Sequence, residues 1–217
     1  MILFVAAMKE EIKLFSNTDI DDVKVLLTGI GKVNAAMMLA DFLAKNQVDA
    51  IYNLGFAGAT EPFEVGDLVL IKDASYHDFD LSLFGYEKGQ VPGFPVYFSS
   101  SDQLIKQVVN VYPSIKTSNL LTGDYFMTNK QEKPCILDME GAALYHVAYQ
   151  NQTPIVSIKV VSDVMGMSET NKPWTAGDKH EYDTLMRTSF RQSQTLYSSA
   201  PPIGHTKYQP GGNALTL

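Results

Sequence analysis

Val23-Lys-Val-Leu-Leu27 is a short apolar run, followed by Thr28-Gly-Ile-Gly31, then by Lys32-Val-Asn-Ala-Ala-Met-Met-Leu-Ala-Asp-Phe-Leu-Ala44. After a few polar residues comes a second apolar run, Ala50-Ile-Tyr-Asn-Leu54, closing on Gly55-Phe-Ala-Gly58. The apolar runs have the length and bounding glycines of buried strands. The alanine- and methionine-rich stretch between them reads as a helix. Glycines supply the sharp turn that a strand-to-helix junction needs. Strand, helix and strand in this order is the unit from which a parallel sheet is built, and it decides the fold class.

The alternation continues on both sides. Ile2–Ala7 reads as a strand buried on both faces, and Met8–Phe15 as a helix start with acids in its first turn. Leu68–Ile71 is a further strand. Residues Ala74–Phe98, rich in Tyr, Phe, Gly, Pro and Asp without a period, read as an ordered functional loop. Asp102–Val111 is helical, and Ser118–Leu121 is a strand before Gly123-Asp124. Ile136–Asp138 leads into the helix Gly141–Gln150. Pro154–Val161 is a strand ending at Ser162-Asp163, and Glu181–Tyr197 is the last helix. The expectation is α/β: a single domain over residues 1–200, with a central mixed, mainly parallel twisted sheet flanked by helices on both faces. Residues 201–217 form a C-terminal extension. In such sheets ligands sit beyond the carboxyl ends of the strands. Met8–Glu11, Gly29–Gly31, Gly55–Gly58 and Ser162-Asp163 are all expected at that edge.

Bulk properties narrow the function. The formal net charge of −7 argues against nucleic acid, which needs a basic face. The single cysteine, Cys135, permits no intramolecular disulfide and suits a reducing compartment, so a cytoplasmic protein is expected. No apolar run approaches the roughly 20 residues of a membrane span. The N-terminal run lacks a basic flank, so it reads as a core strand rather than a signal peptide.

Several motifs fall away. Gly29-Ile30-Gly31 begins like a dinucleotide fingerprint, but Asn34 stands where its third glycine belongs. His77, His146, His180 and His205 show no metal-ligand spacing, so no metal is expected. Three carboxylates remain. Glu11 follows the first strand, Glu140 stands at a strand-to-helix junction, and Asp163 ends an apolar strand. Each alone has a plain reading, as a helix-dipole acid or a turn residue. Three at one sheet edge call for another.

Taken with their neighbours, these residues resemble a known family. Ala7-Met-Lys-Glu-Glu11, Thr28-Gly-Ile-Gly-Lys-Val-Asn-Ala-Ala36, Asn53-Leu-Gly-Phe-Ala-Gly58, Tyr76-His-Asp-Phe-Asp80, Phe84-Gly-Tyr-Glu-Lys-Gly-Gln-Val-Pro-Gly93, Thr122-Gly-Asp124, Asp138-Met-Glu-Gly-Ala142 and Val161-Ser-Asp-Val164 occur in this order. The pattern, over about residues 1–165, resembles the methylthioadenosine/S-adenosylhomocysteine nucleosidases of the purine/uridine phosphorylase superfamily. The resemblance implies a nucleoside phosphorylase-like fold, a homodimer, a small-molecule purine nucleoside as partner and a reaction that needs no organic cofactor. It implies that Asp163 protonates adenine N7, that Glu11 activates water and that Glu140 binds the ribose hydroxyls. It further implies that Met139, Phe126 and Met127 flank the ligand, that Met8, Ile30, Phe56, Ala57, Gly58 and Ser162 line it, and that Phe84, Tyr86 and Pro92 reach the neighbouring subunit's 5′ pocket.

Two positions depart from the family. Phe56 replaces a small serine, and its ring is expected to narrow the sugar end of the site or to change the preferred 5′-group. Lys159 replaces an arginine, losing bidentate geometry. Hydrolysis is favoured over phosphorolysis because phosphate needs cationic donors at the reacting face, and no arginine precedes Arg187. A phosphorylase, a nucleosidase for inosine or a futalosine-like nucleoside, and a non-catalytic nucleoside-binding protein are the alternatives.

Overall fold

The computed structural model describes residues 1–12, 23–127 and 133–165. Strand β1 (Ile2–Ala6) leads into the short helix α1 (Lys9–Ile12), and β2 (Val23–Leu27) into α2 (Lys32–Lys45). Then come β3 (Ala50–Ala59), β4 (Leu68–Tyr76), a 3-10 turn at Ser82–Phe84, β5 (Phe98–Ser99) and α3 (Asp102–Val111). The described chain closes with β6 (Lys116–Thr122), β7 (Ile136–Asp138), α4 (Gly141–Gln150) and β8 (Ile155–Val164). The expected continuation of α1 to Phe15, the helix Glu181–Tyr197 and the extension 201–217 lie outside the described residues.

The sheet is mixed and mainly parallel, as expected. Parallel pairs are β1 with β2 and β3, β3 with β8, β4 with β6, and β6 with β7. Antiparallel pairs are β3 with β7, β4 with β5, and β4 with β8. These pairings close a ring, β3-β8-β4-β6-β7 and back to β3, with β1 and β2 extending it beyond β3. Two full-length strands, β3 and β8, therefore run side by side through the middle of the molecule. They are buried along nearly their whole length, which explains their largely apolar sequences.

Alternate residues of β3 feed two cores. Ile51, Ala57 and Ala59 pack beneath α2 and α4, with Ala35, Leu39, Ala143 and Leu144. Ala50, Tyr52 and Leu54 pack beneath α3, with Leu104 and Val108. Helices thus cover both faces, and each face removes enough apolar area to hold the sheet rigid at about 25 cal/mol per Å² buried.

The strand limits nearest the site differ from expectation in three places. β3 does not stop at Leu54 but continues through Gly55-Phe56-Ala57-Gly58 to Ala59. β8 likewise carries Ser162 and Asp163 within it, because its pairing with β3 continues to Val164. β4 runs on to Tyr76, so the loop begins at His77 and not at Ala74. The glycines of β3 are therefore not turn residues. They are places where other side chains lie against a bare backbone.

Candidate active site

Glu11 is held by main chain. It lies at the end of the short helix that follows β1 and is 4% exposed. Its Oε2 accepts from the Ala7 and Met8 N–H groups at 2.8 and 2.9 Å, and its Oε1 accepts from the Phe56 N–H at 3.0 Å. Gly55 makes this possible: a Cβ there would stand 2.6 Å from Glu11 Oε1. Phe56 contributes its N–H, while its ring packs with Val160 and Leu68. That corrects the expectation that the ring narrows the sugar end. Side chains alternate along a strand, so Phe56 projects to the face opposite the one on which Glu11 lies over Gly55.

Directly across from Gly55 on β8 is Lys159. Its Nζ lies 2.9 Å from Asp138 Oδ2, and the two side chains are 3% and 1% exposed. Asp138 is further held by Thr122 Oγ1, which donates to Oδ1 at 2.5 Å, and by the Gly141 N–H at the start of α4. Burial disfavours the Lys159 ammonium, but the charges of Asp138, Glu11 and Glu140 outweigh it and raise its pKa. One buried cation therefore serves three carboxylates.

Glu140 caps α4, and its Oε1 accepts from the Gly31 N–H at 2.8 Å. Gly31 has φ 95°, a left-handed conformation open to glycine, and this turns its N–H toward Glu140. Burial and the nearby Asp138 charge push the Glu140 carboxyl up to about 7, against the opposing pull of Lys159 and the Gly31 N–H. Burial also raises the Glu11 pKa, opposed by Lys159 and the three N–H donors.

Asp163 owes its place to a β-bulge. Along β3 and β8 the register runs Ala57 to Val161 and then Gly58 to Asp163, so Ser162 is an extra residue. A bulge re-aims the side chains that follow it. Here it lays the Asp163 carboxylate on Gly58, whose Cβ would stand 3.1 Å from Oδ2. Ser162 Oγ lies 2.7 Å from Asp163 Oδ1 and 3.2 Å from the Ala57 carbonyl, to either of which it can donate. Gly55 and Gly58 are three positions apart on β3, about 10 Å at a rise of about 3.3 Å per residue.

The comparisons with known proteins fit this arrangement. Residues 15–192 match the family model for the phosphorylase superfamily. A 5′-methylthioadenosine/S-adenosylhomocysteine nucleosidase of Geobacillus sp. (strain WCH70) is 38% identical, with 67% of this chain and 69% of the relative covered. One from Staphylococcus aureus (strain NCTC 8325 / PS 47) is 34% identical, covering 76% of this chain and 86% of the relative. This chain belongs to the methylthioadenosine/S-adenosylhomocysteine nucleosidase family. Crystal structures agree on the fold. The nucleosidase of Colwellia psychrerythraea 34H in complex with adenine superposes with a TM-score of 0.77 at 29% identity, covering 91% of this chain and 94% of the other. That of Neisseria meningitidis with methylthio-immucillin-A gives 0.76 at 25% identity, covering 92% and 99%.

The structure brings Glu11 and Glu140 to Lys159, with the Met8 and Phe56 N–H groups on Glu11, and sets Ala57, Gly58 and Ser162 around Asp163. Met139 is half-buried between Asp138 and Glu140, and Met127 is buried. Ile30, Phe126, Phe84, Tyr86 and Pro92 are exposed. Lys159 and Asp138 were not expected in the site; a lone cation in the apolar run Ile155–Val161 is the signal that demanded a buried partner. Among the described residues no group of three or more His, Cys, Asp or Glu converges to hold a metal. Nor is any described helix long and apolar enough to cross a membrane.

The raised carboxyls predict a pH effect. Glu140 titrates near 7 in the fold against 4.5 ordinarily, and Glu11 is shifted the same way. The folded state then binds more protons than the unfolded state, so stability is greatest below pH 4.5 as far as these groups decide, and falls as pH rises toward 7. Melting temperature measured across that interval should fall less steeply in Glu140→Gln; an identical slope would refute the assignment.

Proposed function

We propose that this chain hydrolyses the N-glycosidic bond of 5′-methylthioadenosine, S-adenosylhomocysteine or 5′-deoxyadenosine, releasing adenine and a 5-substituted ribose. The C1′–N9 bond breaks with its electron pair passing to the purine, and Asp163 gives a proton to N7. The ribosyl group gains positive charge in the transition state, which the neighbouring carboxylates favour. Water adds to C1′ and yields its proton to Glu11. Glu140 receives the ribose hydroxyls, and Phe126, Met127 and Met139 flank the ligand.

The observation that carries this reading is the grip on Glu11. Three main-chain N–H groups fix a buried carboxylate in the site. An anion held there repels phosphate and suits water. The family's activity and the small purine-like ligands of the solved relatives support the same chemistry. Free adenine should be released from methylthioadenosine at an unchanged rate when phosphate is omitted. Strict phosphate dependence, or no adenine under either condition, would exclude the hydrolase.

The reading includes a cytoplasmic homodimer serving methionine salvage. Its support is an apolar surface: Val33 and Met37, four residues apart on α2, are 75% and 58% exposed, and Leu83 and Phe84 are 96% and 76% exposed. Light scattering checks the mass, with a monomer counting against it.

A further inference from the structure

The first turn of α2 receives two carboxylates on successive N–H groups. Gly31 donates to Glu140 Oε1 at 2.8 Å, and Lys32 donates to Asp124 Oδ1 at 2.9 Å. Glu140 comes from the β7–α4 junction and Asp124 from the segment after β6. Adjacent N–H groups of one helix end cannot move independently, so these two carboxylates are registered to a single rigid body.

Lys32 then reaches back. Its Nζ lies 2.5 Å from Asp78 Oδ2 and 3.7 Å from Asp124 Oδ2, with the Tyr76 ring centroid at 5.6 Å. The Asp124 N–H donates to the same Asp78 oxygen at 2.9 Å. Asp124 is therefore held by both its side chain and its main chain, and Asp78 is the shared acceptor. The Lys32 and Asp78 side chains are 23% and 14% exposed, so this pair is shielded more than an ordinary surface pair.

His77 closes the arrangement from the other side. Its N–H donates to the Thr122 carbonyl at 2.9 Å, and its ring meets Tyr125 edge-on at 4.8 Å. The ring also lies on Gly123, where a Cβ would stand 2.3 Å from it. The segment Gly123–Met127 is thus fixed at its start by His77, and at Asp124 by Lys32 and Asp78.

We propose that Lys32, Asp78 and Asp124 form a positioning clamp that fixes the segment Gly123–Met127 relative to Glu140, and so sets the spacing between purine and ribose recognition. The proposal rests on the reading above, in which Phe126 and Met127 flank the purine and Glu140 holds the ribose hydroxyls. None of the three residues is required to touch the ligand. They act through the segment they hold.

The test uses full-length Asp78→Asn, Lys32→Met and Lys32→Arg. The readouts are kcat and KM for methylthioadenosine, the Kd of adenine by calorimetry, and amide hydrogen exchange. In Asp78→Asn and Lys32→Met, KM and the adenine Kd should rise about tenfold, equivalent to about 1.4 kcal/mol. Turnover at saturation should change by less than about threefold, since uniform binding is what is lost. Amides 123–127 should exchange faster. Lys32→Arg, which keeps the charge, should stay near the wild type. The clamp is overturned if KM and Kd hold within about twofold, if exchange at 123–127 is unchanged, or if Lys32→Arg is as damaging as Lys32→Met. If the wild type neither binds adenine nor releases it, the proposed function fails, and the exchange data still decide the clamp.

Discussion

Asp163→Asn should lower kcat by about 10²–10⁴-fold, the range for loss of a positioned general acid, while the protein stays folded and adenine still binds. The reason lies in the two carboxylate oxygens. Oδ1 sits 2.7 Å from the Ser162 hydroxyl, whereas Oδ2 faces the open backbone of Gly58. On the proposed function the proton for the leaving purine comes from this carboxyl, whose plane the Ser162 contact fixes. Asparagine keeps the shape and can still hydrogen-bond to a purine nitrogen, but has no acidic proton to transfer. Adenine release and calorimetric adenine binding, measured on the same preparation, separate chemistry from binding. Turnover within about tenfold of the wild type would mean that the acid is another group. Ser162→Ala should fall less, because it removes only the support.

The glycines of β3 make the same argument from the other direction. Alanine at Gly58 would press on Asp163 Oδ2 at 3.1 Å, and alanine at Gly55 would press on Glu11 Oε1 at 2.6 Å. Neither glycine has a left-handed φ, so what alanine meets there is a carboxylate and not backbone strain. The two glycines mark where the Glu11 and Asp163 carboxylates lie on the sheet.

Much of this was legible in the sequence, and the exceptions share a cause. Helices α3 and α4 and strands β2 and β7 fall where composition and period place them, since each depends on local pattern. The ends of β3 and β8 do not. Gly55, Gly58 and Ser162 carry local preferences for turns, and only the pairing of two strands a hundred residues apart overrides them. Ring closure through β4, β6 and β7 is likewise a matter of distant pairings. The carboxylates Glu11, Glu140 and Asp163 were recognisable because each stands at or just past an expected strand end. The bulge that aims Asp163 was not, because a single inserted residue leaves no mark on one sequence. Phe56 shows the limit most clearly. Its identity suggested a narrowed sugar end, yet what it supplies to Glu11 is an N–H that every residue but proline has.

Lys159→Met should destabilise the protein by about 3–5 kcal/mol, the penalty for leaving one partner of a buried ion pair without the other. For a chain of this size that is a fall in melting temperature of roughly 6–20 °C, at about 2–4 °C per kcal/mol. The orphaned group is Asp138, 1% exposed at its side chain, with only the Thr122 hydroxyl and the Gly141 N–H left to it. Adding Asp138→Asn to Lys159→Met removes the unpaired charge and should restore part of the loss. The single Asp138→Asn leaves the ammonium buried beside Glu11 and Glu140, which still supply counter-charge, so it should cost less than Lys159→Met. Function should change along with stability. Without Lys159, the pull that lowers the Glu11 and Glu140 pKa values is gone, and both carboxyls rise further. The acid limb of kcat/KM should then move to higher pH, in a variant assayed well below its melting temperature. A Lys159→Met protein as stable as the wild type, with an unmoved acid limb, would show that the sheet carries this cation for neither purpose.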